Sequence, residues 1–325
     1  MADVLVTGGT GFIGGPLVRA LVGRGEKVRV LLRPHSPRGG LAGLDYEEAL
    51  GDLGDAASVA RALAGIRDVF HLAAAVRLDP FAEEKLRRVN VEGTRTVARA
   101  AREAGVQRFV HVSSSAAVGQ GSLAQPSDEE HPFDASELGP YFRTKRAAEE
   151  ALREEVGRGL AAVIVNPSNV VGRGGVTGSL DPILRLVMRG MPFYPPGAAA
   201  FVSVASVVDG CLRARERGRA GERYILNDEN LSQRAFLSMA AELAGVRPPR
   251  LRLARGPTLA AARIGDLLGP RFPKAFASFN SGTLRLLFLD FCVKSEKAQR
   301  ELGFTPRPVR EAVAEEIAAL REARA

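Results

Sequence analysis

Asp3-Val4-Leu5-Val6-Thr7-Gly8-Gly9-Thr10-Gly11-Phe12-Ile13-Gly14 runs from an apolar segment straight into a glycine-rich turn, and a helical period follows from Phe12 to Val22. Strand, tight turn and helix start are the order a dinucleotide needs. Glycines let the backbone bend sharply and approach a pyrophosphate, and the helix N-terminus offers unpaired N–H groups at the positive end of its dipole. Two registers fit, Gly9-x-Gly11-x-x-Gly14 and Gly8-x-x-Gly11-x-x-Gly14. In a chain with 35 glycines a bare GxxGxxG arises by chance about 0.4 times, so the flanking strand and helix carry the assignment. Gly8, Gly11, Phe12, Ile13 and Gly14 are the expected cofactor-binding residues of this turn.

The alternation continues outward. Near-continuous apolar runs at Val4–Val6, Val28–Leu32, Val69–Leu72, Phe109–Val112 and Ala162–Val165 read as strands buried on both faces. Helical periods lie among them, notably Phe12–Val22, Ala82–Ala104 and Tyr141–Glu155, several followed by glycine as helix C-caps often are. This is an α/β pattern: a doubly wound parallel Rossmann sheet. After Pro167 the rhythm breaks, and 189–200, with Pro192, Pro195, Pro196 and Gly197, reads as a crossing loop. Ser206–Arg217 reads as a helix, and an amphipathic helix runs from Val309. The expected organisation is a Rossmann domain over 1–168, with 199–220 returning to it, and a smaller, irregular C-terminal substrate-binding lobe over 169–198 and 221–325.

Composition excludes several classes. The 325 residues are 46% hydrophobic and 25% charged, as in ordinary globular chains. No apolar run is long enough to span a bilayer, and strand-like sequence from Asp3 leaves no room for a signal peptide. Cys211 and Cys292 form no CxxC and suit a reducing compartment, so a cytoplasmic location is expected. The net charge of +8 does not imply nucleic acid, because Glu149, Glu150, Glu154 and Glu155 share a helical period with Arg146 and Arg153. The exception is 247–274, where seven basic residues face one acid, Asp266; this is a basic surface or a site for anionic substrates.

About twenty residues beyond the glycine turn, an acid would accept from the ribose 2′-hydroxyl of NAD, while arginine would pair with the 2′-phosphate of NADP. The second strand ends in Arg33, with Ser36 and Arg38 close behind and no acid before Asp45. NADP(H) is the expected cofactor over NAD(H).

Tyr141 and Lys145 are four apart and share one helix face. Carbonyl reduction needs a proton donor, and a phenol titrating near 10 is a poor one at neutral pH unless a neighbouring ammonium lowers its pKa. Lysine also suits the nicotinamide ribose hydroxyls. Upstream, Val110-His111-Val112 ends in Ser113-Ser114-Ser115 at a strand end that faces the cofactor crevice, where a serine hydroxyl can orient a carbonyl. His71 and His111 read as core histidines, His131 as a loop residue, and no histidine or cysteine spacing suggests a metal.

Thr7–Gly14, Asp52-Leu53, His71-Leu72-Ala73-Ala74, Asn90-Val91-Glu92-Gly93-Thr94, Ser113-Ser114, Tyr141-x-x-x-Lys145 and Asn166-Pro167-Ser168 together resemble the extended short-chain dehydrogenases/reductases, the NAD-dependent epimerase/dehydratase family. Ser295–Phe304 resembles that family's C-terminal signature. The nearest likeness is to dihydroflavonol-reductase-like proteins, including the hopanoid-associated sugar epimerase group, and more loosely to 3β-hydroxysteroid dehydrogenases. The resemblance implies that Asp52 and Leu53 contact adenine, that Ala73 and Ala74 line the cofactor, and that Pro167 and Ser168 border the nicotinamide. Aligned on Gly119, it places the catalytic serine at Ser114, makes Asn90 a positioning residue, and implies a homodimer through the helices of Ala82–Ala104 and Tyr141–Glu155. Many nucleotide-sugar enzymes of the family carry an arginine that holds the nucleotide where this chain reads Ala199-Ala200-Phe201-Val202-Ser203-Val204-Ala205-Ser206. Its absence favours a carbonyl reductase acting on a small molecule through Ser114, Tyr141 and Lys145. A nucleotide-sugar epimerase or dehydratase with bound NAD(P) is the alternative, and a non-catalytic NAD(P)-binding protein the third reading. Substrate contacts are expected from Gly119–Pro140, Val170–Gly197 and Ala254–Phe291.

Overall fold

Val4, Leu5, Val6 and Thr7 are wholly buried, as a strand covered by helices on both faces requires. The computed structural model describes residues 2–323 except 79, 137, 175–177, 179, 270, 273–275 and 277–278. Lys274 of the basic stretch, and parts of the three segments expected to contact substrate, lie outside the described residues.

The first half runs β1 (Val4–Thr7), α1 (Gly14–Gly23), β2 (Val28–Leu32), β3 (Glu47–Leu50), α2 (Ala56–Leu63) and β4 (Asp68–His71). It continues through α3 (Glu83–Leu86), α4 (Gly93–Glu103), β5 (Arg108–Val112), α5 (Pro140–Val156) and β6 (Ala162–Pro167). The second half has β7 (Asn169–Val171), α6 (Asp181–Met188), β8 (Phe193–Tyr194), β9 (Ala198–Ser203), α7 (Val204–Arg217), β10 (Arg223–Leu226) and β11 (Glu229–Ser232). After these come α8 (Gln233–Ala244), β12 (Leu251–Arg252), α9 (Arg255–Leu268), α10 (Ser281–Arg285), α11 (Glu296–Leu302) and α12 (Arg310–Glu322).

The main sheet has the order β10-β6-β5-β4-β1-β2-β3, every neighbouring pair parallel. All five expected strands are in it. Strand order reverses at β1, and the crevice outside the carboxyl ends of β1 and β4 is where such sheets bind ligands. Leu17, Val18 and Leu21 of α1 pack in one core with Val207, Val208 and Cys211 of α7. A second core on the opposite face joins Val59 and Leu63 of α2 to Val97 and Ala101 of α4.

Two elements escaped the periodicity. β3 is an edge strand with exposed Glu47 and Glu48, tied to β2 by Arg29, whose Nε lies 2.7 Å from the Glu47 carboxylate. The helical period 82–104 is interrupted by a π-helical turn, Arg87–Glu92, which carries Asn90.

The lobe boundary differs from expectation in two places. β10, assigned from the sequence to the substrate lobe, is the seventh strand of the main sheet, because buried Tyr224, Ile225 and Leu226 continue it beside β6. β9, expected to return to the Rossmann domain, instead lies in a three-stranded sheet of order β11-β9-β7. The helix that follows it, α7, does pack on the main sheet. The second lobe has its own core, in which Leu184, Phe201, Phe236, Val313 and Ile317 meet and the Phe201 and Phe236 rings stack at 4.0 Å. Among the described residues no helix is long and apolar enough to cross a membrane.

Candidate active site

The glycine turn closes on itself and on β4. Gly8 has φ +70°, a left-handed conformation that side chains disfavour, and a Cβ there would stand 2.7 Å from the Ala73 nitrogen. A Cβ at Gly14 would stand 2.1 Å from the Gly8 carbonyl oxygen, so the first turn of α1 lies directly on the loop. Gly8 and Gly14 are therefore required by packing. Phe12 reaches across the crevice to the second lobe: Cβ atoms at Gly174 and Gly178 would fall 1.9 Å and 2.9 Å from its ring.

The other expected cofactor residues cluster at the same strand ends. Ala73 follows β4 and its N–H donates to Thr7 Oγ1 at 3.3 Å, with Ala74 exposed beside it. Asp52 and Leu53 follow β3; Asp52 accepts from the Gly54 N–H at 2.9 Å, and Leu53 packs on Gly93. Arg33 ends β2, exposed and with no side-chain partner among the described residues, while its N–H donates to Ser36 Oγ at 3.2 Å. Arg38 differs: its guanidinium is held by both oxygens of Glu48, at 2.7 and 2.9 Å. That fork is occupied, an outcome of the unforeseen strand β3. Pro167 and Ser168 close β6, Ser168 Oγ donating to Asn227 Oδ1 at 3.0 Å.

Ser114, Tyr141 and Lys145 converge at the end of β5. Of the three adjacent serines it is Ser114 whose side chain faces the Tyr141 hydroxyl and favours its phenolate. It also accepts from the Ala116 N–H at 3.2 Å. Ser113 Oγ is buried without a partner among the described residues. Lys145, one turn along α5, is buried, and its Nζ donates to the Val112 carbonyl at 3.4 Å.

The electrostatics differ from the sequence expectation. Burial pushes the Tyr141 phenol up, and the neighbouring Ser114 only partly opposes it. Burial brings Lys145 itself down to about 8, against the opposing pull of Glu149.

Glu149 was not recognised from the sequence, which showed it only as part of a charged helix face. It is fully buried and accepts from Asn166 Nδ2 at 2.6 Å, and that same amide donates to the Ser114 carbonyl at 2.9 Å. A carboxylate below Lys145 is thus joined through Asn166 to the backbone that presents Ser114. Asn90, expected as a positioning residue, accepts at Oδ1 from the Ala75 N–H at 2.7 Å and donates from Nδ2 to the Ala75 carbonyl at 3.0 Å, clamping the loop after β4.

His71 is a satisfied core histidine, joined to Thr7 Oγ1 at 2.7 Å and Thr94 Oγ1 at 3.1 Å. Burial, with Lys145 adding repulsion, brings it down to about 3. His111 departs from expectation, with both ring nitrogens buried and unpartnered among the described residues and its ring stacked on His71 at 5.3 Å. His131 lies against Gly119 in its loop. Cys211 and Cys292 are buried thiols pushed up to about 12 and about 11 by burial. Among the described residues no group of acidic, histidine or cysteine side chains could hold a metal.

Around the tyrosine the walls are apolar. Ala116, Leu138 and Phe142 are buried there, and Phe133, Tyr141, Leu286, Leu289 and Phe291 pack against them. The Phe142 and Phe291 rings stack at 5.3 Å, so the second lobe covers the Tyr141 end of the site.

A family model described as NAD dependent epimerase/dehydratase family matches residues 4–227. The chain is 40% identical over 327 residues to sterol demethylase protein B of Methylococcus capsulatus, covering 98% of each. It is 33% identical to 4-hydroxy-2-methyl-3-oxo-4-farnesyl-3,4-dihydroquinoline-1-oxide ketoreductase of Stigmatella aurantiaca, covering 93% of this chain and 91% of that one. The crystal structure of gox2253 superposes with a TM-score of 0.86 at 38% identity, covering 99% of both chains.

Proposed function

The chain belongs to the NAD dependent epimerase/dehydratase family, and we propose that it is an NADP(H)-dependent oxidoreductase interconverting a carbonyl and a secondary alcohol on a small apolar substrate. The observation that carries this reading is the convergence of Ser114, Tyr141 and Lys145 at the end of β5, with Lys145 buried one turn along the same helix as Tyr141 and its Nζ on the Val112 carbonyl. A relative whose name is a ketoreductase supports the reaction class, and the apolar walls around Tyr141 support the substrate class.

The residues present fit a dinucleotide. The crowded turn at Gly8 and Gly14 and the unpartnered Arg33 make a backbone cradle with a cation beside it. Gly8, Gly11, Phe12, Ile13 and Gly14 would hold the pyrophosphate, Asp52 and Leu53 the adenine, and Arg33 with Ser36 the 2′-phosphate. Ala73, Ala74, Pro167 and Ser168 would line the nicotinamide half. Bound there, the nicotinamide supplies or accepts the hydride.

The chain's own residues manage the proton. In the reducing direction Tyr141 passes its phenolic proton to the carbonyl oxygen, and Ser114 holds that oxygen by its hydroxyl. Burial raises the Tyr141 phenol, so the proton stays on the tyrosine until charge develops on the substrate. Lys145, turned from the Val112 carbonyl toward the ribose hydroxyls, would then favour the phenolate and help restore its proton. Glu149 and Asn166 act as positioning residues for Lys145 and Ser114.

Tyr141→Phe tests the assignment. NADPH consumption with carbonyl substrates should fall at least about a thousandfold, because general acid catalysis and transition-state hydrogen bonding are both removed. NADPH binding measured by fluorescence titration should stay unchanged. Undiminished turnover would remove Tyr141 from the reaction. Turnover with no net consumption of NADPH would point to the epimerase or dehydratase alternative.

A further inference from the structure

Many arginines of the first half sit on carboxylates, as Arg29 on Glu47, Arg38 on Glu48 and Arg102 on Glu155, although Arg19, Arg33, Arg61 and Arg88 form no ion pair among the described residues. Between 247 and 272 this stops. Arg247, Arg250, Arg252, Arg255, Arg263 and Arg271 are exposed and form no ion pair or side-chain hydrogen bond among the described residues. The one acid of the stretch, Asp266, is engaged by the Ser281 N–H at 2.9 Å.

The helix through this stretch is turned outward. The buried residues of α9 are Ala262 and Gly265, and it lies so close to the backbone beyond it that a Cβ at Gly265 would fall 1.5 Å from the Phe279 carbonyl oxygen. Two residues along from each, on the opposite side of the helix, Ile264 is 56% exposed and Leu267 79%. Phe272, just beyond the helix, is 55% exposed. Phe81 packs on Gly269, on the same inward side as Ala262 and Gly265. Exposed apolar side chains gathered on one helix face mark an interaction site.

We propose that this face docks on an anionic lipid surface, with Ile264, Leu267 and Phe272 in the interfacial layer and Arg255, Arg263 and Arg271 on headgroup phosphates. An outward apolar stripe flanked by unpaired cations is the pattern of a helix lying in a membrane interface. Charge separates this occupant from the others. A second copy of the chain brings the same arginines, and an isologous contact would set them against one another in a protein of net charge +8. A nucleic acid would meet the cations and leave the leucines in water. The face also adjoins the site: α10 packs on α9, Thr283 of α10 donates to the Leu78 carbonyl at 3.4 Å, and Leu286 just beyond reaches the cluster around Tyr141. An apolar substrate could pass from the bilayer along these residues, a consequence that rests on the proposed reaction, whereas the docking does not.

Sedimentation of the full chain with vesicles of phosphatidylcholine, alone or mixed with phosphatidylglycerol, tests the docking. The chain should pellet with the mixed vesicles at low salt and be released as salt shortens the screening length toward roughly 10 Å. Ile264→Glu with Leu267→Glu should lower partitioning at least about tenfold. Arg255→Gln with Arg263→Gln should lower it about fivefold per arginine, on the anionic vesicles only. If the glutamate variant fails to fold by circular dichroism, the arginine variant decides alone. No sedimentation, or sedimentation indifferent to the folded variants, overturns the proposal; so does a glutamate variant that merely dissociates a dimer. Lipid binding alongside undiminished turnover of Tyr141→Phe would keep the docking and remove the reaction.

Discussion

Helices α1 and α9 are built from similar residues and face them in opposite directions. Both carry leucines at helical spacing, and both lie on backbone through a glycine, Gly14 against Gly8 and Gly265 against Phe279. Leu17, Val18 and Leu21 of α1 are wholly buried, whereas Ile264 and Leu267 of α9 point to solvent over Ala262 and Gly265. Amphipathic spacing announces an apolar face and leaves open what covers it. In the first half the protein covers its own; in the second lobe a face is left for something outside the chain. The arginines of the α9 stretch are likewise without ion pairs among the described residues, whereas Arg29 and Arg102 beside the main sheet are held by carboxylates.

The contrast breaks most sharply at Leu17. Leu17→Ala leaves a cavity between α1 and the sheet and should lower stability by about 3 kcal/mol, read as the denaturation midpoint with an unchanged slope. A loss under about 1 kcal/mol would mean that α1 is not locked between the sheet and α7.

That burial was legible because the β1–α1 unit is local: strand, glycine turn and helix adjoin in sequence, and strand spacing predicts burial on both faces. Gly8, Gly14, Tyr141 and Lys145 could be read for the same reason. What escaped is long-range or runs against propensity. Glu47 and Glu48 look like loop until Arg29 and Arg38 from 10 to 18 residues upstream grip them into an edge strand. Glu149 looks like a solvated helix face until Asn166 closes over it from β6. Tyr224 and its neighbours give no sign of which sheet they join. The α9 face was visible only as a run of basic residues, because exposure of Leu267 depends on a close approach at Gly265 that spacing does not encode.

Glu316 sharpens the comparison from inside the second lobe. Its Oε2 accepts from the Gly172 N–H at 2.8 Å, while burial, with nearby Asp181 adding to it, raises the carboxyl from 4.5 to about 8. The folded state holds this proton where the unfolded chain has lost it. Stability from this group is therefore full below about 4.5 and is lost as pH rises through about 8. Glu316→Gln can keep the Gly172 bond while removing the titrating carboxyl. It should flatten that decline and raise stability above pH 8 by about 2 kcal/mol. A parallel decline in both proteins, followed by thermal melts across pH, would assign the loss to other groups.

Arg33 carries the first half's own outward-facing cation. If its partner is the 2′-phosphate, Arg33→Ala should weaken NADPH binding about tenfold and leave NADH binding near its original value, the loss of one charge-assisted contact. Tighter binding of NADH than NADPH by the unmodified chain would mean that Arg33 is only a surface residue.

Leu267→Ala is the counterpart of Leu17→Ala, and its value is in how little it should do. The side chain already stands in water, so truncation removes almost no buried area and should shift stability by less than about 0.5 kcal/mol, against several for its buried analogue. A large loss in solution would show that Leu267 is covered there by another copy of the chain, and the concentration dependence of the melting temperature would identify that contact. A small loss leaves the leucine where the structure puts it, on a face whose apolar area is gained only when a partner arrives.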